Sequence, residues 1–120
     1  MNFVFSGHPR TKDNFKGFNR FSGRPYLSQE FKQYERSIQY QILAQLPKGF
    51  QLLIAPLAVT LKVFLAKGRS MDAGNAPKSC LDACNGYVWK DDKQIYDLRV
   101  MMFYRTDNPR IEMIVTSLNL

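Results

Sequence analysis

The ten-residue run Leu57–Ala66 constrains the fold of this chain most, because its β-branched, aromatic and aliphatic residues are typical of a strand. An apolar repeat near every third or fourth residue precedes it and predicts an amphipathic helix over 29–46, with Ser28 as its cap and Pro47 after its end. A shorter helix is predicted over 76–84, where Asn75 is a plausible cap and Pro77 lies in the first turn.

Strand patterns occupy both ends of the chain. Residues 2–6 predict a first strand, and 95–104 and 110–118 predict two more, joined by a turn-forming run. Residues 87–90 suggest a brief extended piece. This order of elements predicts a single compact α+β domain over residues 1–120, with a mixed β-sheet and two helices.

The charge balance favours a polyanionic partner. Seventeen basic and ten acidic residues give a net charge of +7 and a pI of about 9.6, so nucleic acid is the leading partner class and a small basic RNA-binding protein is a weaker alternative. No apolar run approaches the roughly 18 residues that a membrane span needs, and residues 1–8 lack a signal-peptide pattern, so we expect a cytoplasmic protein without membrane contact. Cys80 and Cys84 with one histidine cannot build a zinc site alone, and we expect both in the core.

Half of the ten acidic residues lie between Asp72 and Asp97, which is unusual in so basic a chain. Asp72 and Asn75 precede the second predicted helix, and Lys78 and Asp82 share one of its faces. Asp91 and Asp92 could bring further carboxylates to the same place. Such a group suits Mg²⁺ and a phosphodiester, with Lys78 stabilising developing charge. Turn residues and a surface ion pair would give the same pattern, and the residues alone leave both interpretations open.

Residues 8–26 form a long basic connection. Phosphate contacts are expected from the cations Arg10, Lys12, Lys16, Arg20 and Arg24, and Lys67 and Arg69 extend this positive surface toward Asp72. Phenylalanines recur at three-residue spacing between these cations, at Phe15, Phe18 and Phe21. They would stack on bases at a branch point, pin the connection to the core, or form a dimer interface.

Two stretches carry a resemblance to a known family. Asp72-Ala-Gly-Asn75-Ala-Pro-Lys78-Ser-Cys-Leu-Asp82 and Asp91-Asp92-Lys-Gln94-Ile95 resemble the D-x-D-N-x-x-K-x-x-x-D and D-D-x-Q-[IV] elements of the RusA family of Holliday junction resolvases, which is common in phages and prophages. Gly7-His-Pro9, Gly23-Arg24-Pro-Tyr26 and a helix containing Tyr34 resemble the opening of that family. The resemblance therefore extends over nearly the whole chain.

The resemblance implies a homodimeric, Mg²⁺-dependent endonuclease that nicks four-way DNA junctions during recombination, replication or repair, in a bacterial or phage-infected cell. Mn²⁺ is an alternative metal, and no small-molecule cofactor is implied. Asp72 and Asp92 would be catalytic and metal-binding, Asp91 a further metal ligand, and Lys78 a catalytic lysine, with Asn75 and Asp82 in supporting positions. Gly74 departs from the family pattern, because the family has an aspartate there. The implied alternative is a junction-binding protein whose catalysis is impaired.

Overall fold

A computed structural model of the chain describes residues 1–11, 16–18, 25–27 and 29–119, with 16–18 and 25–27 described at the level of the backbone. Its elements, in chain order, are β1 (Asn2–Ser6), β2 (Lys16–Phe18), β3 (Pro25–Leu27), α1 (Gln29–Gln45), β4 (Leu57–Ala66), α2 (Ala76–Cys84), a 3₁₀ turn (Asp92–Gln94), β5 (Ile95–Thr106) and β6 (Arg110–Ser117). The described residues thus form the predicted α+β domain with two α-helices.

The main sheet has four strands in the order β1-β6-β4-β5. β4 runs parallel to β5 and antiparallel to β6, and β6 runs antiparallel to β1, so the sheet is mixed as predicted. The parallel pairing of β4 and β5 requires a crossover, and residues 67–94, including α2, supply it. A separate two-stranded sheet pairs β2 with β3.

One face of the main sheet carries the core. Alternate residues of β4, from Leu57 to Leu65, are at most 1% exposed, as expected for a strand whose one face is covered by helices. Ile38 and Ile42 of α1 lie in the same core. Most of α2 is buried there as well, including Cys80 and Cys84, which are free thiols. The prediction that both cysteines are core residues is confirmed.

Three local predictions need correction. Asn75 occupies the N-cap position of α2 as predicted, but it has helical backbone angles and makes no capping hydrogen bond through its side chain. Residues 86–88 form a turn instead of an extended piece, and Trp89 makes isolated bridges with Leu53 and Asn85. The basic connection 8–26 contains the β2–β3 pair, so it is not a plain loop. Ser28, the predicted cap of α1, lies outside the described residues.

The helix and strand boundaries otherwise agree closely with the predicted ones. α1 ends one residue earlier than expected, β5 extends two residues further to Thr106, and β6 ends one residue earlier. Within the described residues, no helix has the length and apolar character required to span a membrane.

Candidate active site

The loop between β4 and α2 places the first acidic residue of the site. Lys67 and Gly68 form a tight turn after β4, in which the Arg69 N–H donates to the Ala66 carbonyl at 3.1 Å. Gly68 has a φ of +81°, a left-handed conformation that glycine adopts without strain. The exposed Asp72 follows, and its carbonyl accepts from the N–H groups of Asn75 and Ala76 at 3.0 and 2.9 Å. Asp72 therefore begins the helical turn that leads into α2.

The solvent-facing stripe of α2 carries the lysine and the next carboxylate. Lys78 is exposed and Asp82 is half-buried, whereas the residues around them on the helix are buried. The Lys78 ammonium donates to Asn75 Oδ1 at 3.2 Å. The side chain of Asn75 thus orients Lys78 at the N-terminal end of the helix, where the helix dipole adds positive potential.

The second acidic element is a rigid turn before β5. Lys93 N–H donates to Asp91 Oδ1 and Asp91 N–H donates to Gln94 Oε1, each at 2.9 Å, which is a capping box. Gln94 Nε2 also donates to the carbonyls of Leu53 and Ala55, at 2.9 and 3.1 Å. Gln94 therefore fastens the turn that carries Asp91 and Asp92 to the chain segment before β4.

The carboxylates of this turn interact with one another and with α2. Burial raises the pKa of Asp92, and a hydrogen bond with Asp91 and the negative charges of Asp91 and Asp82 raise it further. The hydrogen bond from the Lys93 backbone, followed by the bond with Asp92, lowers the pKa of Asp91. Asp82, which sequence reasoning gave only a supporting position, thus connects the two acidic elements electrostatically. A hard cation would relieve the repulsion around Asp92, so this donor set is chemically suited to Mg²⁺.

The predicted metal ligands Asp72, Asp91 and Asp92 do not form a ready-made ligand cluster in this single chain. Across the described ranges, no three His, Cys, Asp or Glu side chains converge closely enough to hold a metal ion. Asp91 and Asp92 are adjacent and coupled, whereas Asp72 lies at the other end of the crossover, before α2. The roles of these three aspartates therefore remain predictions.

Gly74 lies in the turn between Asp72 and Asn75 and is exposed. A Cβ atom built at this position meets no heavy atom within 4 Å, and its φ is outside the range that strains L residues. An aspartate could therefore occupy this position without steric conflict, so the backbone itself does not explain the glycine.

A polar cleft of about 410 Å³ adjoins the loop that carries Asp72. Its lining consists of His8, Pro9, Arg10, Leu65, Arg69, Ser70 and Met71. Two predicted DNA-binding residues, Arg10 and Arg69, are therefore brought together from distant parts of the chain. Their guanidinium groups suit phosphate oxygens, which they can bind in a bidentate manner.

The other predicted DNA-binding residues give less structural information. Lys67 is exposed and precedes Arg69, which lines the cleft, by two residues in the sequence. Lys12, Arg20 and Arg24 lie outside the described residues, as do Phe15 and Phe21, and the side chains of Lys16 and Phe18 are not described. Phosphate contacts by these cations therefore stay predictions.

Two residues of this region were missed as site residues by sequence reasoning. The sequence indicates Gln94 only through the family resemblance, although an amide three residues after an aspartate cap is the signal of a capping box. His8 lines the cleft with the arginines, whereas the sequence indicated it only as part of the Gly7-His-Pro9 resemblance. Burial raises the pKa of Tyr34 strongly, and the nearby Arg10 lowers it in part.

The fold and these residues define a small α+β domain in which carboxylates, a helix-borne lysine and a cationic cleft surround one crossover, as suits a protein that handles a phosphodiester backbone. The chain belongs to the RusA endodeoxyribonuclease family, whose model matches residues 6–116. It is 28% identical over 122 residues to a crossover junction endodeoxyribonuclease of Enterobacteria phage 82, with 98% of each chain covered. It is also 26% identical over 112 residues to the uncharacterized protein YqaN of Bacillus subtilis strain 168, covering 76% of this chain and 75% of that protein.

Proposed function

We propose that this protein is a Mg²⁺-dependent endonuclease that resolves four-way DNA junctions by paired nicks, acting as a homodimer in the cytoplasm of a bacterial or phage-infected cell. Recombination, replication or repair would supply the junction. The structural observation that carries the proposal is the capping box that fixes Asp91 and Asp92 side by side before β5, in a chain whose other acidic element lies at the start of α2. Family membership over residues 6–116 supports the same activity.

In this proposal, Asp92 and Asp91 hold the metal, with water filling the remaining positions, and Asp72, at the other end of the crossover, would complete the site only in an assembly that brings it to them. When bound, Mg²⁺ supplies polarisation of the scissile phosphate and a lowered pKa for the attacking water. Gln94 keeps the aspartate turn in place through its three hydrogen bonds. Mn²⁺ has the same preference for oxygen ligands and would replace Mg²⁺.

Lys78 would stabilise the negative charge that develops on the phosphate, since it lies exposed at the N-terminal end of α2. Asn75 would hold the lysine through the 3.2 Å hydrogen bond. Arg10 and Arg69 would bind the neighbouring DNA backbone in the polar cleft. The remaining cations of residues 12–24 would extend this contact along one arm of the junction.

A second function is favoured by one observation, the glycine at position 74. With no carboxylate there, the site has one ligand fewer than the family pattern. The affinity for the metal decreases when the ligands carry less negative charge. The alternative is a protein that binds junctions tightly and cleaves them poorly or not at all. Its binding would depend on salt and be indifferent to Mg²⁺.

A cleavage assay on a synthetic four-way junction tests both functions. The natural protein, Gly74→Asp and Asp92→Asn would be compared across a Mg²⁺ and Mn²⁺ titration, with Asp107→Asn as the control because Asp107 is an exposed carboxylate in the β5–β6 turn. The endonuclease proposal expects paired nicks from the natural protein and the control, and none from Asp92→Asn.

The Gly74→Asp variant separates an impaired site from a complete one. A gain of activity at low Mg²⁺ would show that the natural site lacks a ligand. The open space at position 74 means that the substitution itself should not disturb folding. Natural protein that binds the junction yet yields no nicks at any metal concentration would refute the endonuclease proposal and favour the binding protein.

A further inference from the structure

The two edges of the main sheet are treated differently. At the β1 edge, Gln45 accepts from the Val4 N–H through Oε1 and donates to the Val4 carbonyl through Nε2, both at 2.8 Å. Gln41 does the same at Ser6, at 2.7 and 3.4 Å. Two side-chain amides from α1 therefore occupy the positions that a neighbouring strand would take. This edge is closed to further pairing.

The other edge, along β5, is open. In the described part of the chain β5 pairs only with β4, although it is twelve residues long. Natural edge strands are usually short or protected by lysine, proline or a covering element. β5 instead exposes large apolar side chains, at Tyr96, Leu98, Met101, Phe103 and Tyr104. Because β5 is long and exposes these apolar side chains, its edge is a surface for strand pairing.

We propose that a second copy of this chain pairs with this edge, so that β5 and the partner's β5 run antiparallel about a two-fold axis at Leu98. The two sheets would then form one continuous eight-stranded sheet. The strand sequence around Leu98 is complementary to itself. In this register Asp97 faces the partner's Arg99, and Arg99 faces the partner's Asp97.

The geometry of antiparallel pairing permits this register. Residues that face each other across antiparallel strands project to the same side of the sheet. Two identical strands related by a two-fold axis meet this requirement only when the residue at the axis faces its own copy. Leu98 meets this condition, and Asp97 and Arg99 lie two residues apart and therefore on one side. Within the chain these two form only a loose contact of 3.7 Å between largely exposed side chains, so both are free to form new pairs.

The apolar side chains are also matched in this arrangement. Leu98 meets the partner's Leu98, and the exposed Tyr96 meets the partner's Val100. The irregularity of β5 between Ile95 and Asp97 takes Ile95 out of this pairing. The charge pairs next to the axis would thus adjoin apolar contacts, and opposite charges directly across the two strands would favour this register.

This interface deepens the dimer part of the proposed function, although the open edge exists whatever the protein does. The 3₁₀ turn with Asp91 and Asp92 ends directly before Ile95, the first residue of β5. An axis at Leu98 would place the two copies of Ile95 roughly 20 Å apart, from a rise of about 3.3 Å per residue. One acidic turn would then lie on each side of the axis, as two symmetric nicks require.

Charge reversals at the central pairs test the register. In Asp97→Arg, two positive charges face each other at each of the two central pairs. In Arg99→Asp, two negative charges face each other at each of these pairs. We expect each variant to weaken the DNA-free dimer by about tenfold or more, as measured by sedimentation velocity across a concentration series. An equimolar mixture of the two variants restores opposite charges at the central pairs, so heterodimers should form. Asp107→Arg, the same charge change in an exposed turn, should leave the dimer constant unchanged.

The mixture also guards against misfolding, because two damaged chains would not restore each other's assembly. A natural protein that stays monomeric at every concentration would overturn the proposal, whether or not it cleaves DNA. A dimer that withstands both reversals, or variants that dissociate and fail to recombine when mixed, would place the interface elsewhere. A stable dimer with this charge dependence and no cleavage would support the interface while refuting the nuclease.

Discussion

Gln94 is the residue whose removal tests the described site most directly. Its side chain makes three hydrogen bonds, one from Asp91 N–H at 2.9 Å and two to the carbonyls of Leu53 and Ala55 at 2.9 and 3.1 Å. Gln94→Ala removes all three and leaves two partly buried carbonyls without this donor. It also releases one half of the capping box around Asp91 and Asp92.

The cost follows from the number of bonds and their exposure. A hydrogen bond within a protein contributes about 0.5–1.5 kcal/mol net, and an unsatisfied buried partner adds to the loss. Because Gln94 is half-buried, the lower part of that range applies and we expect a loss of about 2–3 kcal/mol in the free energy of unfolding. Urea denaturation measures this loss, with Gln51→Ala as the control because Gln51 is an exposed glutamine in the neighbouring segment.

The same variant should impair the site beyond its effect on stability. At a temperature where the variant is folded, we expect junction cleavage to fall while junction binding is kept, since the cations proposed to bind DNA lie elsewhere. A change in unfolding free energy no larger than that of Gln51→Ala would refute the account of Gln94. Unchanged cleavage by a clearly destabilised variant would refute the claim that Gln94 positions the aspartates.

Three further predictions concern charge, burial and the sheet edge. Asp92→Asn should raise the free energy of unfolding at neutral pH. Because the pKa of Asp92 is raised in the folded chain, ionisation of this carboxylate destabilises the natural protein as the pH rises through the folded-state pKa. The stability difference between variant and natural protein should vanish below the ordinary aspartate pKa, near pH ~4. Asn85→Ala should cost about 1–3 kcal/mol in urea denaturation, because the fully buried Trp89 loses the 2.7 Å hydrogen bond from its indole N–H. Gln45→Ala should cost about 1–2 kcal/mol and speed amide exchange at Val4, whose edge groups lose both partners.

Each of these predictions has a contrary outcome. Asp92→Asn that lowers stability at pH 7 would mean that the surrounding charges do not penalise the carboxylate. Asn85→Ala with an unchanged transition would mean that Trp89 finds another acceptor. Amide exchange at Val4 that is unaffected in Gln45→Ala would show that the edge of β1 is protected by something other than the glutamine.

The fold was largely predictable because its patterns are local. The alternation along β4, the helical repeat of α1 and the proline of α2 each act over a few residues, and the structure agrees to within two residues at most boundaries. The errors lie where local signals compete. Asn75 looked like a cap, yet its side chain binds Lys78 and the helical turn starts earlier, at Asp72. Residues 86–88 turn because the buried Trp89 is held by Asn85.

The residues of the candidate site could be named from the sequence, but their mutual arrangement could not. Asp72, Lys78 and Asp92 stood out through charge and spacing in a basic chain. Nothing local indicated that Asp82 would affect Asp92, or that Gln94 would reach the carbonyls before β4, because these contacts join segments far apart in sequence.

The sequence by itself determined the elements, the core faces and the excess of positive charge, since these depend on residue type and short-range periodicity. Only the tertiary structure decided which edge of the sheet is closed, which cations share a cleft and which carboxylates repel each other. The physical reason is the crossover between β4 and β5. Parallel pairing carries the chain from one end of the sheet back to the other, and α2 lies on that return path with Lys78 and Asp82 on its open face.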